Sequence, residues 1–221
     1  MNILKSLKTI KNKIMKTFNR KTMKAIFLVS MSFLFFIISC DSQTNTNGQK
    51  VVFGIHEVVK VDVIPVAIID TLKSMGVQIE SNPQKPVLGY ITMKDSLVLQ
   101  FDLSKENIKL VKMIQMTDEE QKYFVLAGIR PNTVINIASI KKTKANGNNV
   151  EIYFNSKGAT DWADFTKQNI GKSIAFIIDN QIYAIPVING EIKHGIAMIT
   201  GLNNETIAKN ISQALNLSIP K

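Results

Sequence analysis

The sequence predicts an α+β fold: a mostly antiparallel sheet with helices packed on one face, in two subdomains. Three observations predict it. Short β-branched and apolar runs recur from residue 51 onward, each bounded by Gly, Pro, Asn or Asp. Three stretches place apolar residues at helical spacing beside a cap or stop residue. Asp179-Asn180 joins two apolar runs as a two-residue connection whose members both tolerate positive φ, as a tight hairpin requires.

Taken in order, 51–59 is β-branched and apolar and suits a strand. Around Pro65, Ile64, Ile68, Ile69, Leu72 and Met75 share a helical face, and Gly76 stops the helix. Strand-like runs follow at 77–79, 87–93, 97–101, 108–115 and 122–129, punctuated by Asn82-Pro83, Lys94-Asp95 and Thr117-Asp118. Residues 51–125 therefore read as a β-rich subdomain with one helix. In the second subdomain, 126–221, residues 150–154 form a strand and Asn155 or Ser156 caps a helix whose Ala159, Trp162, Phe165 and Asn169 share a face. Gly171 ends that helix, 173–178 and 181–188 flank Asp179-Asn180, and 195–200 gives another strand. Asn203 caps a final helix with Ile207, Ile211, Ala214 and Leu215 on its buried side. Pattern alone leaves the strand order open.

Charge is unevenly placed. The formal net charge is +10, but eight of the 27 basic residues precede Cys40 with no acid among them, which leaves 19 basic against 17 acidic residues beyond it. Clustered cations that would neutralise phosphates are thus missing from the folded part, which argues against a nucleic-acid partner. The remaining cluster, Lys141-Lys142-Thr143-Lys144, runs into Asn146-Gly147 and reads as the solvated tip of a hairpin.

The basic start leads into an uncharged apolar run from Ala25 to Ser39 and then Cys40, the only cysteine. At 15 residues the run is short of the roughly 20 needed to cross a bilayer and matches the apolar region of a signal peptide. Ile37-Ile38-Ser39-Cys40 resembles the lipobox of bacterial lipoproteins, in which the cysteine is acylated and becomes the mature N-terminus. The expectation is a signal peptide over 1–39, with Met1 or Met23 as its start, and a polar flexible tether over 40–50. It places the protein in the cell envelope, anchored by lipid (palmitate) to the inner or outer membrane and facing the periplasm or exterior.

From about residue 126 to 220, an ordered series includes Val150, Phe154, Phe165, Thr166, Asn169-Ile170-Gly171-Lys172, Asp179, Pro186, Ile188, Gly195, Gly201 and Leu215. This series resembles the head subdomain of the first periplasmic domain of SecD and SecDF, membrane proteins that assist Sec-dependent export. The resemblance implies a head that engages exported polypeptide beside the Sec translocon; proton coupling in that family depends on transmembrane helices, for which 40–221 has no candidate. Thr166, Asn169, Gly171, Lys172, Asp179, Pro186, Gly195 and Gly201 also have structural work as helix stops, hairpin residues and strand ends, so the match argues fold before mechanism.

Residues for catalysis are few. His56 lies in a strand pattern and His194 in a Gly-rich turn, with no metal-ligand spacing between them. Asp161 and Asp164 are three apart near a helix start, where the helix dipole ordinarily places carboxylates. No phosphate loop or nucleophile elbow is present, and no pattern implies a cofactor. The expected function is therefore non-enzymatic: a lipid-anchored module that binds exported or unfolded polypeptide. The alternative is an envelope module that recognises one specific folded partner, unrelated to export.

Acylation makes the first testable claim. Cys40→Ala is expected to release the protein from membranes or stall its processing, because two acyl chains supply the stable attachment that one does not. Unchanged membrane fractionation and unchanged mature size would refute it.

Overall fold

Asp179 and Asn180 adopt φ values of 48° and 62°, the left-handed pair that matches a two-residue turn to the twist of its strands. The hairpin so formed joins β9 (Ile174–Ile178) to β10 (Gln181–Ala184). The computed structural model describes residues 50–92, 98–116 and 122–221; the expected signal peptide, Cys40 and all of the tether but Lys50 lie outside the described residues. The other strands are β1 (Phe53–Val59), β2 (Gln78–Ile79), β3 (Gly89–Thr92), β4 (Lys109–Met116), β5 (Lys122–Ile129), β6 (Ile135–Asn136), β7 (Ile140–Asn146), β8 (Asn149–Phe154) and β11 (Ile196–Ile199). Among the described residues, three α-helices accompany them: α1 (Val66–Ser74), α2 (Ser156–Gln168) and α3 (Glu205–Ser218). No helix among the described residues is long and apolar enough to cross a membrane.

The class is α+β with mostly antiparallel pairing, and the strands form sheets of eight and three. In the larger sheet, β5, β4, β10, β9 and β1 are successive neighbours, and β1 pairs back onto β5 through Val58 with Ile129 and Val59 with Gly128. Those five strands close into a ring. Its interior is filled by Val58, Val111, Ala127, Ile129, Ala175, Ile177 and Ile182, a set that includes two alanines because so narrow a ring has little room for side chains. No helix residue belongs to this interior cluster, so the helices pack on the outside of the ring.

Two further cores flank the ring. On one side α1 places Leu72 against Ile64, Leu88, Ile91, Leu110 and Leu126. On the other, Phe53 and Ile55 of β1 and Ile174, Phe176 and Ile178 of β9 meet Val150, Ile152 and Phe154 of β8, Trp162 of α2, and Ile211 and Leu215 of α3. β9 is therefore buried on both faces, which is why its sequence is an uninterrupted apolar run.

The expected division at 125/126 falls inside β5, and β1 pairs over five residues with β9. A fragment starting at residue 126 would thus lose the neighbour of its most buried strand.

Four local expectations are corrected. Residues 98–100 form a 3-10 turn instead of a strand, because Val98 and Leu103 are both buried in the α1 core and a tight turn delivers them there. The buried stripe of α2 is Gly158, Trp162 and Thr166, with Ala159, Phe165 and Asn169 only half-buried beside it. Asn204, not Asn203, caps α3, its Oδ1 accepting from Ile207 N at 2.9 Å. Lys141, Lys142 and Lys144 lie along β7, and the turn is made by Gly147-Asn148 beyond them.

His56 is half-buried on β1, its Nδ1 2.9 Å from Arg130 O. Burial pushes its pKa below the ordinary 6.5, with the charge of Lys109 acting in the same direction and the Arg130 carbonyl against it.

Trp162 stacks near Phe165 at 6.2 Å and meets Phe154 at 5.7 Å between ring centres. Trp162→Ala is expected to cost about 3–5 kcal/mol and Phe165→Ala clearly less, read as urea-unfolding free energies. Equal losses would place the core face of α2 wrongly.

Candidate functional site

A groove of about 490 Å³ lies between β11 and the segment that continues β10. Its floor is Trp162, Ile174 and Phe176; one wall is Pro186–Ile192 and the other is Ile196, Ala197 and Met198. The lining is apolar apart from Asn189 and Glu191, and the Glu191 carboxylate is 3.5 Å from Lys193.

Among the described residues, β11 is the edge strand of the three-stranded sheet and pairs with β8 alone. Phe154 N donates to Gly195 O at 2.9 Å, which fixes the alternation of the ladder. The backbones of Gly195, Ala197 and Ile199 face β8, and those of Ile196 and Met198 present N–H and C=O groups to the open side. Across the groove, Ile174 N donates to Pro186 O and Ile188 N to Lys172 O. Ser173 and Val187 form the bridge between them, so the Val187 backbone points away from β9 by the same alternation.

Other strand edges among the described residues are closed or short. β2 and β6 are two residues each. β7 is answered by a side chain: Asn216 Oδ1 accepts from Thr143 N at 2.8 Å and its Nδ2 donates to Thr143 O at 3.0 Å. That amide occupies the position a neighbouring strand would take, and the lysines around it discourage pairing further.

Five of the eight motif residues frame the groove. Thr166 is fully buried; its Oγ1 donates to Trp162 O at 2.9 Å and accepts from Ile192 N at 2.9 Å, tying the loop wall to α2. Asn169 Nδ2 donates to Phe165 O at 2.8 Å at the end of α2. Gly171, at φ 83°, donates from its backbone to Ile188 O at 2.7 Å. Pro186 lines the wall. Gly195 immediately precedes β11 at φ 62°, and a Cβ there would lie 2.6 Å from Ala159 Cβ, so only glycine fits. Of the other three, Lys172 holds the wall only through its carbonyl while its Nζ is 3.6 Å from Glu57 Oε1, and two lie away: Asp179 Oδ1 accepts from Val52 N at 2.8 Å, and Gly201 follows β11 at φ 75° with open space around it.

The groups weighed for chemistry do not converge. His194 is exposed in a turn, and His56 sits on β1 against the Arg130 carbonyl. Asp161 pairs with Lys157 one turn back and neither it nor Asp164 lies in the first turn of α2, so the helix-start placement expected for them is corrected. Among the described residues no group of three or more His, Cys, Asp or Glu could hold a metal ion. The openness of β11 was not legible in the sequence: residues 195–200 read as a strand without a sign of how many neighbours it has.

The site is thus an apolar groove floored by an α+β core and bordered by an unpaired strand edge. Residues 111–218, a stretch that starts within β4 and so ahead of the 126 expected, match the family model of the SecDF P1 head subdomain, and this part of the chain is SecD/SecDF head-like. Similar proteins include the protein translocase subunit SecD of Rhodothermus marinus, 36% identical over 105 residues, 45% of this chain and 17% of that protein. SecD of Acidaminococcus fermentans is 26% identical over 124 residues, 54% of this chain and 29% of the relative. SecDF of Thermus thermophilus is 38% identical over 66 residues, 30% of this chain and 9% of the relative. The chain spans less than a third of the length of each. Among solved structures, SecDF described as a membrane component that enhances protein export has 20% identity and a TM-score of 0.45, covering 78% of this chain and 64% of that one.

Thr166→Val removes the hydroxyl that joins α2 to the groove wall while keeping the side chain's shape. A loss of about 1–3 kcal/mol in urea unfolding is expected, with faster amide exchange at Ile192. Unaltered exchange there would show that the loop is held by other contacts.

Proposed function

We propose that this protein is a lipid-anchored envelope protein whose head-like domain binds exported or unfolded polypeptide near the Sec machinery, without catalysing a reaction. The supporting observation is the open edge of β11 beside an apolar groove. An extended chain laid along Ile196–Ile199 gains backbone hydrogen bonds from Ile196 and Met198 and rests its apolar side chains on Trp162, Phe176 and Ile188. Backbone pairing depends little on side-chain identity, which suits a partner that must accept many sequences. A folded protein has its strands already paired and its apolar side chains inward, so it offers neither feature.

The experiment is a titration of the full chain with unfolded and folded forms of one secretory protein. Preferential binding of the unfolded form is expected. Salt should weaken it only slightly, because the part beyond residue 39 carries 19 basic against 17 acidic residues and Glu191, the one charged lining side chain, is next to Lys193. Equal binding to both forms favours a module for one folded partner, and absence of binding at high micromolar concentration overturns the proposal.

A further inference from the structure

The Lys172 side chain takes no part in the groove, which the residue reaches only through its carbonyl; its Nζ stands 3.6 Å from Glu57 Oε1. Both residues line a second cavity, of about 260 Å³, where the end of β1, the end of β5 and the start of β9 meet. No residue lines both this cavity and the groove. The backbone around it is fixed: Arg130 N donates to Glu57 O at 2.9 Å and Val58 N to Ser173 O at 3.1 Å. Arg130 is held again through its side chain, Nη1 donating to the carbonyls of Glu106 and Asn107, each at 3.1 Å. Every ion pair among the described residues is made by a lysine, so no acid offsets the Arg130 charge, and Lys60 and Asp62 enter none of those pairs. The Gln84 amide has no hydrogen-bond partner among the described residues either.

Lys60, Arg130 and Lys172 bring three positive charges to this lining and Glu57 and Asp62 two negative ones, an excess of one positive charge. The geometry points to a second binding site in this protein, for the C-terminal carboxylate of a peptide chain whose last side chain is small and apolar. One carboxylate cancels the excess, whereas a phosphate dianion overshoots it and leaves net negative charge beside Glu57 and Asp62. Clamped at Nη1, the Arg130 guanidinium keeps Nε–H and Nη2–H unspent, planar donors that match the two oxygens of a carboxylate. A cavity of this size falls below the roughly 300–1,000 Å³ of sites that hold whole drug-sized ligands, so it takes the end of a chain. Val63 is 60% exposed in the lining beside Val58, Val59 and Pro86, and an apolar terminal side chain laid there removes that surface from water. The Gln84 amide and the Asp62 carboxylate answer the peptide group that precedes the terminal residue, a group that a free small carboxylate lacks. The site goes beyond the groove reading: a strand edge accepts the middle of a chain, and this cavity only its end.

The full chain is titrated with N-acetyl-alanyl-valine, with the same peptide amidated at its C-terminus, and with isovalerate, a free carboxylate with a similar apolar end. The backbone amides of Lys60 and Lys172 and the side-chain amide of Gln84 are followed by NMR. The expected results are a dissociation constant on the order of 1 mM for the free-acid peptide, binding about 10-fold weaker for its amide, and clearly weaker binding of isovalerate. Lys60→Gln, at an exposed side chain without an internal partner, is expected to weaken the peptide about 2- to 5-fold with an unchanged unfolding midpoint, and Arg130→Lys about 10-fold. Equal binding of acid and amide, shifts confined to Ile196 and Met198 of the groove, or no binding at about 20 mM overturns the site. Isovalerate binding as tightly as the peptide overturns the peptide C-terminus as the ligand, in favour of a small free carboxylate. Unchanged affinity in both variants overturns the assignment of the carboxylate to these cations; should Arg130→Lys lose its fold, Lys60→Gln decides alone. None of these outcomes touches the groove reading, because the two cavities share no lining residue.

Discussion

Burial of β9 on both faces is the constraint on which the rest of the structure depends. Ala175 and Ile177 fill the closed ring, while Ile174, Phe176 and Ile178 form the middle of the core shared by α2, α3 and the three-stranded sheet. A strand in that position must satisfy its backbone on two sides, and it does so with β1 and β10. The start of β1 is fixed in turn by Asp179, whose backbone N donates to Val52 O while its Oδ1 accepts from Val52 N. The turn that makes the hairpin thus also positions the strand that closes the ring. Disturbing β9 would act at once on the ring interior and on the floor of the groove, because Ile174 and Phe176 belong to that floor.

Features set by neighbouring residues were legible in the sequence, and features set by distant partners were not. The Asp179-Asn180 turn, the Asn155 cap and the glycine stop at Gly171 follow from the conformational preferences of those residues. Ring closure needs Val58 to meet Ile129 and Phe53 to meet Ile178, and no local pattern encodes such partners. The same reason explains residues 98–101: a strand-like apolar run was present, but strand pairing is a property of two segments, and no described strand pairs with it. The α2 face was misplaced by one residue because Thr166 reads as polar, whereas its hydroxyl is fully paired inside the core.

Lys141, Lys142 and Lys144 show a pattern whose location changes its meaning. At a hairpin tip they would be solvated charges without consequence. Along β7 they border an edge that Asn216 already blocks with both arms of its amide. The two ends of the three-stranded sheet are therefore unlike: one is closed by an amide and charge, the other lies open beside apolar side chains. The open edge is the one that the proposed polypeptide-binding reading uses.

The head-like series also explains why its residues signal fold without disclosing chemistry. Thr166 anchors Ile192, Gly171 anchors Ile188, and Gly195 allows β11 to pass within contact of α2. Each acts through the backbone of a groove wall, so the series specifies a cleft of defined width and leaves the lining side chains free to differ. The lining, not the series, then decides what the cleft prefers. In this chain the floor is apolar throughout, made by Trp162, Ile174 and Phe176.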